Sequence, residues 1–203
     1  MNLPPPKNRR NLFLAISIVA VFAFLMIFGL KHNPNFTPSQ LVGKRAPSFT
    51  AQLSTGNQFQ FKTNEQSNSW TILNFWSSSC YVCREEAPEL QSFYQTVTLM
   101  NKNNPQFLSV NIQDDTKSIL EWQKSFSQTF PVMEDTKGLI SVDYGVTGTP
   151  ETFFIDPNRI VRYRLAGAVN KKLILKFVNW LSKNPTATES EAVKTLISIG
   201  QEG

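Results

Sequence analysis

The two cysteines of this chain, Cys80 and Cys83, stand at Cys-x-x-Cys spacing a few residues after a short apolar run, and that placement limits the fold more than any other feature. The run, residues 70–75, reads WTILNF and is rich in β-formers, which suits a strand buried on both faces. It ends at Trp76 and the small polar loop Ser77-Ser78-Ser79, and a helical stretch opens at Cys80 and extends to about residue 101. Glu85, Glu86 and Glu89 near its start suit the positive end of a helix dipole. Pro88 within the pattern predicts a kink.

Strand, small loop and helix start form a setting for sulfur chemistry. The thiolate attacks a disulfide, and unpaired N–H groups at a helix N-terminus stabilise it, lowering the free-cysteine value of about 8.5. Cys80 is nearer the helix end and is the expected attacker. Cys83, about one turn deeper, is placed to resolve the mixed disulfide and release the reduced partner. A static helix-end disulfide is the plainer alternative. Two cysteines exclude a framework of several bridges. A single histidine, His32, leaves a structural zinc site short of ligands, so no metal is expected.

Strand and helix patterns alternate along the rest of the chain. Residues 41–60 read as short strands and turns around Gly43, Pro47 and Gly56. Residues 107–112 and 131–134 read as strands, with a helix over 116–127 capped by Asp114 or Asp115 and a short helix over 138–144. Residues 152–156 form a further strand, 160–165 alternate with a period of two, and Leu173, Ile174, Phe177, Val178 and Leu181 make a helical stripe. Thr188 and Glu191 form a capping-box pattern in the tail, 184–203, which reads either as a short helix or as disordered. The order predicts an α/β fold with a mixed central sheet flanked by helices.

The N-terminus differs in character. Residues 12–30 form nineteen uncharged, mostly apolar positions, about 28 Å as a helix, which predicts a transmembrane anchor. Lys7, Arg9 and Arg10 in the segment 1–11 place that end in the cytoplasm. The run is longer than a signal-peptide core, and no small-residue cleavage site follows it in the linker, 31–40. The net charge of +5 belongs mostly to this region: residues 1–31 carry +4 and the remainder +1. With no basic run interleaved with aromatics, a nucleic-acid partner is not expected.

A second motif lies far from the cysteines. Gly148-Thr149-Pro150-Glu151-Thr152-Phe153 sets a proline before a strand, and Thr149–Pro150 is a candidate cis peptide. Trp76, Cys80 and Cys83, with Gly145-Val146, the Pro150 segment, Ile155-Asp156, Arg162-Tyr163-Arg164 and Ala166-Gly167, resemble the anchored thioredoxin-like proteins of cytochrome c maturation, the DsbE/CcmG type, over residues 41–183. The resemblance implies a thioredoxin-like fold with Pro150 cis and packed against the cysteines. It implies a periplasmic domain on a single-pass inner-membrane anchor that reduces the haem-attachment Cys-x-x-Cys-His of apocytochrome c. Its other implied partners are a membrane thiol donor of DsbD or CcdA type and further cytochrome c maturation components. The cofactor is the redox-active Cys80–Cys83 pair itself.

The family's two acids near the thiols map onto Glu86 and Glu151, which join Cys80 and Cys83 as candidates for the chemistry. Trp76, Tyr81, Thr149 and Pro150 are the candidate substrate-binding residues. Two positions depart from the pattern: Ser79 stands where Trp is common and Tyr81 where Pro is common, and such flanks tune thiol potential. Two other functions compete. One is a general periplasmic thiol–disulfide oxidoreductase serving other exported proteins. The other is a non-catalytic holdase that binds extended apocytochrome beside Pro150 by strand addition.

Overall fold

The computed structural model describes residues 9–30, 39–100 and 104–201. The chain divides near residue 37 into an N-terminal unit and a larger C-terminal one. The N-terminal unit contains one helix, α1 (Arg9–Leu30), of 22 residues. Its side chains are described over 12–27, roughly 24 Å of helix, and those of Leu12, Phe13, Ile16, Val19, Phe22 and Leu25 are all exposed. Among the described residues, no helix is long and apolar enough to cross a membrane. Most of the expected cytoplasmic segment (1–8) and of the linker (31–38) lies outside the described residues.

The C-terminal unit is an α/β sandwich. Its strands are β1 (Phe49–Leu53), β2 (Gln58–Phe61), β3 (Thr71–Trp76), β4 (Gln106–Ile112), β5 (Val132–Asp135), β6 (Glu151–Ile155) and β7 (Val161–Ala166). They form one mixed sheet in the order β2-β1-β5-β4-β3-β6-β7. β3 pairs parallel with β4 and antiparallel with β6, which makes it internal. All six of its residues are buried, as suits a mostly apolar strand paired on both sides.

The helices are α2 (Tyr81–Leu99), α3 (Thr116–Ser125), α4 (Leu139–Asp143), α5 (Lys171–Lys183) and α6 (Glu189–Gln201). One core lies between the sheet and α2, α3, α5 and α6, with Ile72, Trp76, Phe93, Phe107, Trp122 and Phe177 among its members. The other joins Leu73, Phe75, Val110 and Phe153 to Tyr144 and to Phe49 and Phe61 of the first hairpin. Asp115 caps α3, accepting from the Ser118 amide at 2.7 Å. Pro88 lies inside α2 without ending it.

The tail forms a helix. The Thr188–Glu191 box closes in both directions, the Thr188 amide donating to Glu191 Oε2 at 2.8 Å and the Glu191 amide donating back to Thr188 Oγ1 at 3.4 Å. Ala192 and Ile199 of α6 are buried in the α2 core, so α6 extends the sandwich. Several strand ends lie a residue away from those the sequence predicts, because a ladder begins where the first backbone pair forms and not where the apolar run begins.

Phe75 is fully buried, with Tyr144 at 5.4 Å and Phe153 at 5.6 Å between ring centroids. Phe75→Ala should therefore destabilise the domain by about 3–5 kcal/mol, read as a lower midpoint in urea denaturation.

Candidate active site

β3 and β4 run parallel, so both carboxyl ends reach the same edge of the sheet, and Trp76 pairs with Asn111 at that edge. The loop after each strand therefore meets the other. Asp114, beyond β4, accepts from the Ser78 amide at 2.6 Å, the Ser78 hydroxyl at 2.8 Å and Asn111 Nδ2 at 2.6 Å. The serine loop is held from below and delivers Cys80 as the N-cap of α2.

Cys80 and Cys83 are joined by a disulfide. The Cys83 amide points at Cys80 Sγ at 3.1 Å, in the place where a thiolate would gain most from the helix end. Cys80 is half-buried and Cys83 is 3% exposed. That difference fits the expected division into attacking and resolving sulfur.

Across the site, Thr149–Pro150 is cis, and the Thr149 carbonyl lies 3.4 Å from Cys80 Sγ. Pro150 is buried and Thr149 half-buried. Tyr81, in the first turn of α2, is 73% exposed beside the sulfur pair, and Val82 is 40% exposed. Trp76 differs from its expected place as a wall of the binding site. It is 3% exposed, its Nε1 donates to Ser109 at 2.8 Å, and its ring stacks on Trp122 at 4.8 Å. Trp122 in turn lies under the Arg84 guanidinium. Trp76 supports the site from within the core.

The two carboxylates have different surroundings. Glu151 is 1% exposed and saturated with donors: the Thr147 and Gly148 amides at 3.0 and 3.1 Å, the Thr147 hydroxyl at 2.9 Å and Arg164 Nε at 2.8 Å, with Arg164 Nη2 completing a bidentate pair. Its oxygens tie β7 to the loop that carries Pro150. In this arrangement it is a clamp on the loop.

Glu86, one turn beyond Cys83, is not a solvated residue of the helix start. The first turn of α2 holds no acid, and Glu86 is 2% exposed. Asn74 Nδ2 donates to its Oε1 at 2.8 Å, while Oε2 has no hydrogen-bond partner. Burial pushes the carboxyl up to about 8, against smaller opposing effects from the Val169 backbone and the Asn74 amide. A neutral acid one turn from a sulfur can hold or release a proton near physiological pH.

The sequence did not single out Asn74, or the parts that Asp114 and Arg164 play in holding the two loops. Only the position of Asn74 inside an apolar run gave a signal, since a buried amide needs partners. Among the described residues, no three His, Cys, Asp or Glu side chains converge to hold a metal ion.

Fold and site together define a thiol–disulfide oxidoreductase of thioredoxin-like architecture, whose electron carrier is its own sulfur pair. The chain belongs to the AhpC/TSA family, which it matches over residues 42–164. It is 28% identical over 173 residues to the thiol:disulfide interchange protein DsbE of Escherichia coli, covering 82% of this chain and 90% of that protein. To DsbE of Xylella fastidiosa it is 29% identical over 189 residues, covering 91% and 92%. The crystal structure of a thioredoxin-family thiol:disulfide interchange protein of Chlorobium tepidum shares the fold at a TM-score of 0.58 and 23% identity, covering 71% of this chain and 98% of that one.

The surroundings of the two acids lead to two expected outcomes. Folded Glu86 keeps its proton up to about 8, whereas an unfolded chain loses it near 4.5. Between those values the unfolded state binds fewer protons, so Glu86 makes the oxidised protein less stable as pH rises from about 4.5 to about 8. Glu86→Gln should remove that part of the slope in denaturation midpoints taken across the window. Arg164→Ala leaves the buried Glu151 carboxylate without its cation and should cost about 3–5 kcal/mol by the same measurement.

Proposed function

We propose that this protein is a membrane-anchored reductase on the outer side of a bacterial inner membrane, reducing the disulfide of the Cys-x-x-Cys-His haem-attachment site in apocytochrome c. The observation that carries the reading is the half-buried Cys80 sulfur at the α2 N-terminus, facing the Thr149–Pro150 loop at 3.4 Å with Cys83 buried behind it. The DsbE names of its curated relatives support the assignment to cytochrome maturation. The uncharged run 12–30 supports the anchor, because the described Leu, Ile and Phe side chains over 12–27 are exposed and need an apolar phase to cover them.

The chemistry is a pair of thiol–disulfide exchanges. Cys80 thiolate attacks one sulfur of the substrate disulfide; the Cys80–substrate bond forms, and the other substrate sulfur leaves as a thiolate and takes up a proton. Cys83 then loses its proton and attacks Cys80 Sγ. The Cys80–Cys83 bond re-forms and the second substrate thiol departs, so the substrate gains two electrons and two protons. A membrane thiol donor of DsbD or CcdA type restores the reduced pair by the reverse sequence, attacking at Cys80 and releasing Cys83.

The exposed Tyr81, and Ser79 before Cys80, favour a second reading, a general reductase or oxidase of exported proteins. A reduction potential near about −120 mV, as in strong oxidants, would select the oxidase form of that reading and exclude a reductase. For the first reading, Cys83→Ser should trap a peptide carrying an oxidised Cys-x-x-Cys-His on Cys80 as a mixed disulfide, seen on non-reducing gels. No adduct with that peptide, alongside adducts with other exported proteins, would sink the assigned substrate.

A further inference from the structure

Asn74 is fully buried in the middle of β3, and its side chain points to the α2 face of the sheet. Both hydrogens of Nδ2 are used: one goes to Glu86 Oε1 at 2.8 Å and the other to Thr152 Oγ1 at 3.1 Å. Two buried oxygens remain without partners, Asn74 Oδ1 and Glu86 Oε2, and they belong to the same amide and the same carboxyl that already share one bond. With Glu86 ionised, both are bare acceptors, an expensive arrangement away from water. A proton on Oε2 turns that oxygen into a donor, and Oδ1 is the unpartnered acceptor on the facing amide. Reversing the amide does not remove the need, because it sets Oδ1 against Oε1 at the same 2.8 Å with no hydrogen between them.

We propose that Asn74 is a positioning residue that holds Glu86 as a neutral acid through a two-bond amide–acid pair, and so keeps in place the proton that Cys83 exchanges. Nδ2 donates to Oε1, and protonated Oε2 donates to Oδ1. When a donor thiolate opens the Cys80–Cys83 disulfide at Cys80, Cys83 leaves as a thiolate and takes the Glu86 proton. When Cys83 later attacks the mixed disulfide, the Glu86 carboxylate takes that proton back, and Asn74 Nδ2 steadies it in the interval. The inference rests on reading Cys83 as the resolving thiol, and it holds for any protein substrate.

Charged groups on the surrounding elements leave this pair largely to itself. On α2, Arg84, Glu85 and Glu89 are exposed; on β6 and β7, Glu151 and Arg164 are bonded to each other; on α5, Lys171 and Lys172 stand at the helix start. No charged side chain is among the groups that move Glu86 from its ordinary value, which are burial, the Val169 backbone and Asn74.

Infrared spectra of the oxidised full-length protein across a pH series test the pair, with Glu86→Gln assigning the carboxyl band. The wild-type band should titrate near 8. Asn74→Asp keeps the shape of the side chain and makes a carboxyl pair, whose last proton should leave at higher pH than that of wild-type Glu86, because two carboxylates would then share one buried site. Asn74→Ala should move the band toward that of an acid without an amide partner, and slow resolution by Cys83 about tenfold relative to the first attack by Cys80. A Glu86 band with the same frequency and midpoint in wild type, Asn74→Asp and Asn74→Ala overturns the proposal, as does an ionised Glu86 in the oxidised wild type at mildly acidic pH. The spectra use no substrate, so loss of the Cys83→Ser trap with these shifts intact would remove the assigned substrate and spare the pair.

Discussion

Side chains alternate along β3, and that alternation decides where the chemistry can be. Ile72, Asn74 and Trp76 turn toward α2, while Leu73 and Phe75 turn toward the first hairpin and Tyr144. The strand is internal and wholly buried, so its direction and height are fixed by two ladders and two cores at once. Its carboxyl end sets the serine loop, the loop sets the first residue of α2, and the helix end faces Cys80 Sγ. β6, on the other side of β3, starts at the residue after Pro150, so the same ladder that fixes the strand also fixes the loop opposite the sulfur. A one-residue slip of β3 would exchange its faces and dismantle both halves of the site.

The two acids show how surroundings assign roles to identical groups. Glu151 meets two amides, a hydroxyl and a guanidinium, and these donors fix the loop from Thr147 to Pro150. Glu86 meets the Asn74 amide, the Val169 backbone and an otherwise largely apolar core, and burial outweighs both, so its charged form is penalised and its proton is retained. A carboxylate encircled by donors gives up orientation only at high cost and suits positioning. A buried carboxyl with few partners changes protonation at accessible pH and suits proton exchange.

The fold was largely legible in the sequence, because it follows from periodicity, and periodicity is local. The run 70–75, the alternation over 160–165 and the stripe ending at Leu181 each correspond to an element that formed. Cys80, Cys83 and Pro150 were legible because a Cys-x-x-Cys at a strand-to-helix turn and a proline before a strand are local patterns too. What could not be read was pairing across distance. Asp114 stood as one of two caps for α3; Asp115 took the cap and Asp114 took Ser78, a choice made by the parallel β3–β4 register. Nor does spacing say whether a glutamate three residues after a cysteine faces water or the sheet. That depends on which face of α2 the core covers, and the core covers the face bearing Cys83, Glu86, Ala87 and Leu90.

Electron flow through the sulfur pair depends on a balance around Cys80 Sγ. The Cys83 amide at 3.1 Å favours the thiolate, as does the positive end of α2. The Thr149 carbonyl at 3.4 Å is an acceptor, so it repels a thiolate and welcomes a thiol. Ser79 and Tyr81 flank the sulfur, and Tyr81 stands out into solvent. A thiol made too acidic becomes a good leaving group and its disulfide an oxidant; a thiol of ordinary acidity keeps the pair reducing. The Pro150 loop, held to β7 by Glu151 and Arg164, thus does more than bound a groove: by fixing the Thr149 carbonyl against the sulfur, it opposes the stabilisation that the helix end offers a Cys80 thiolate.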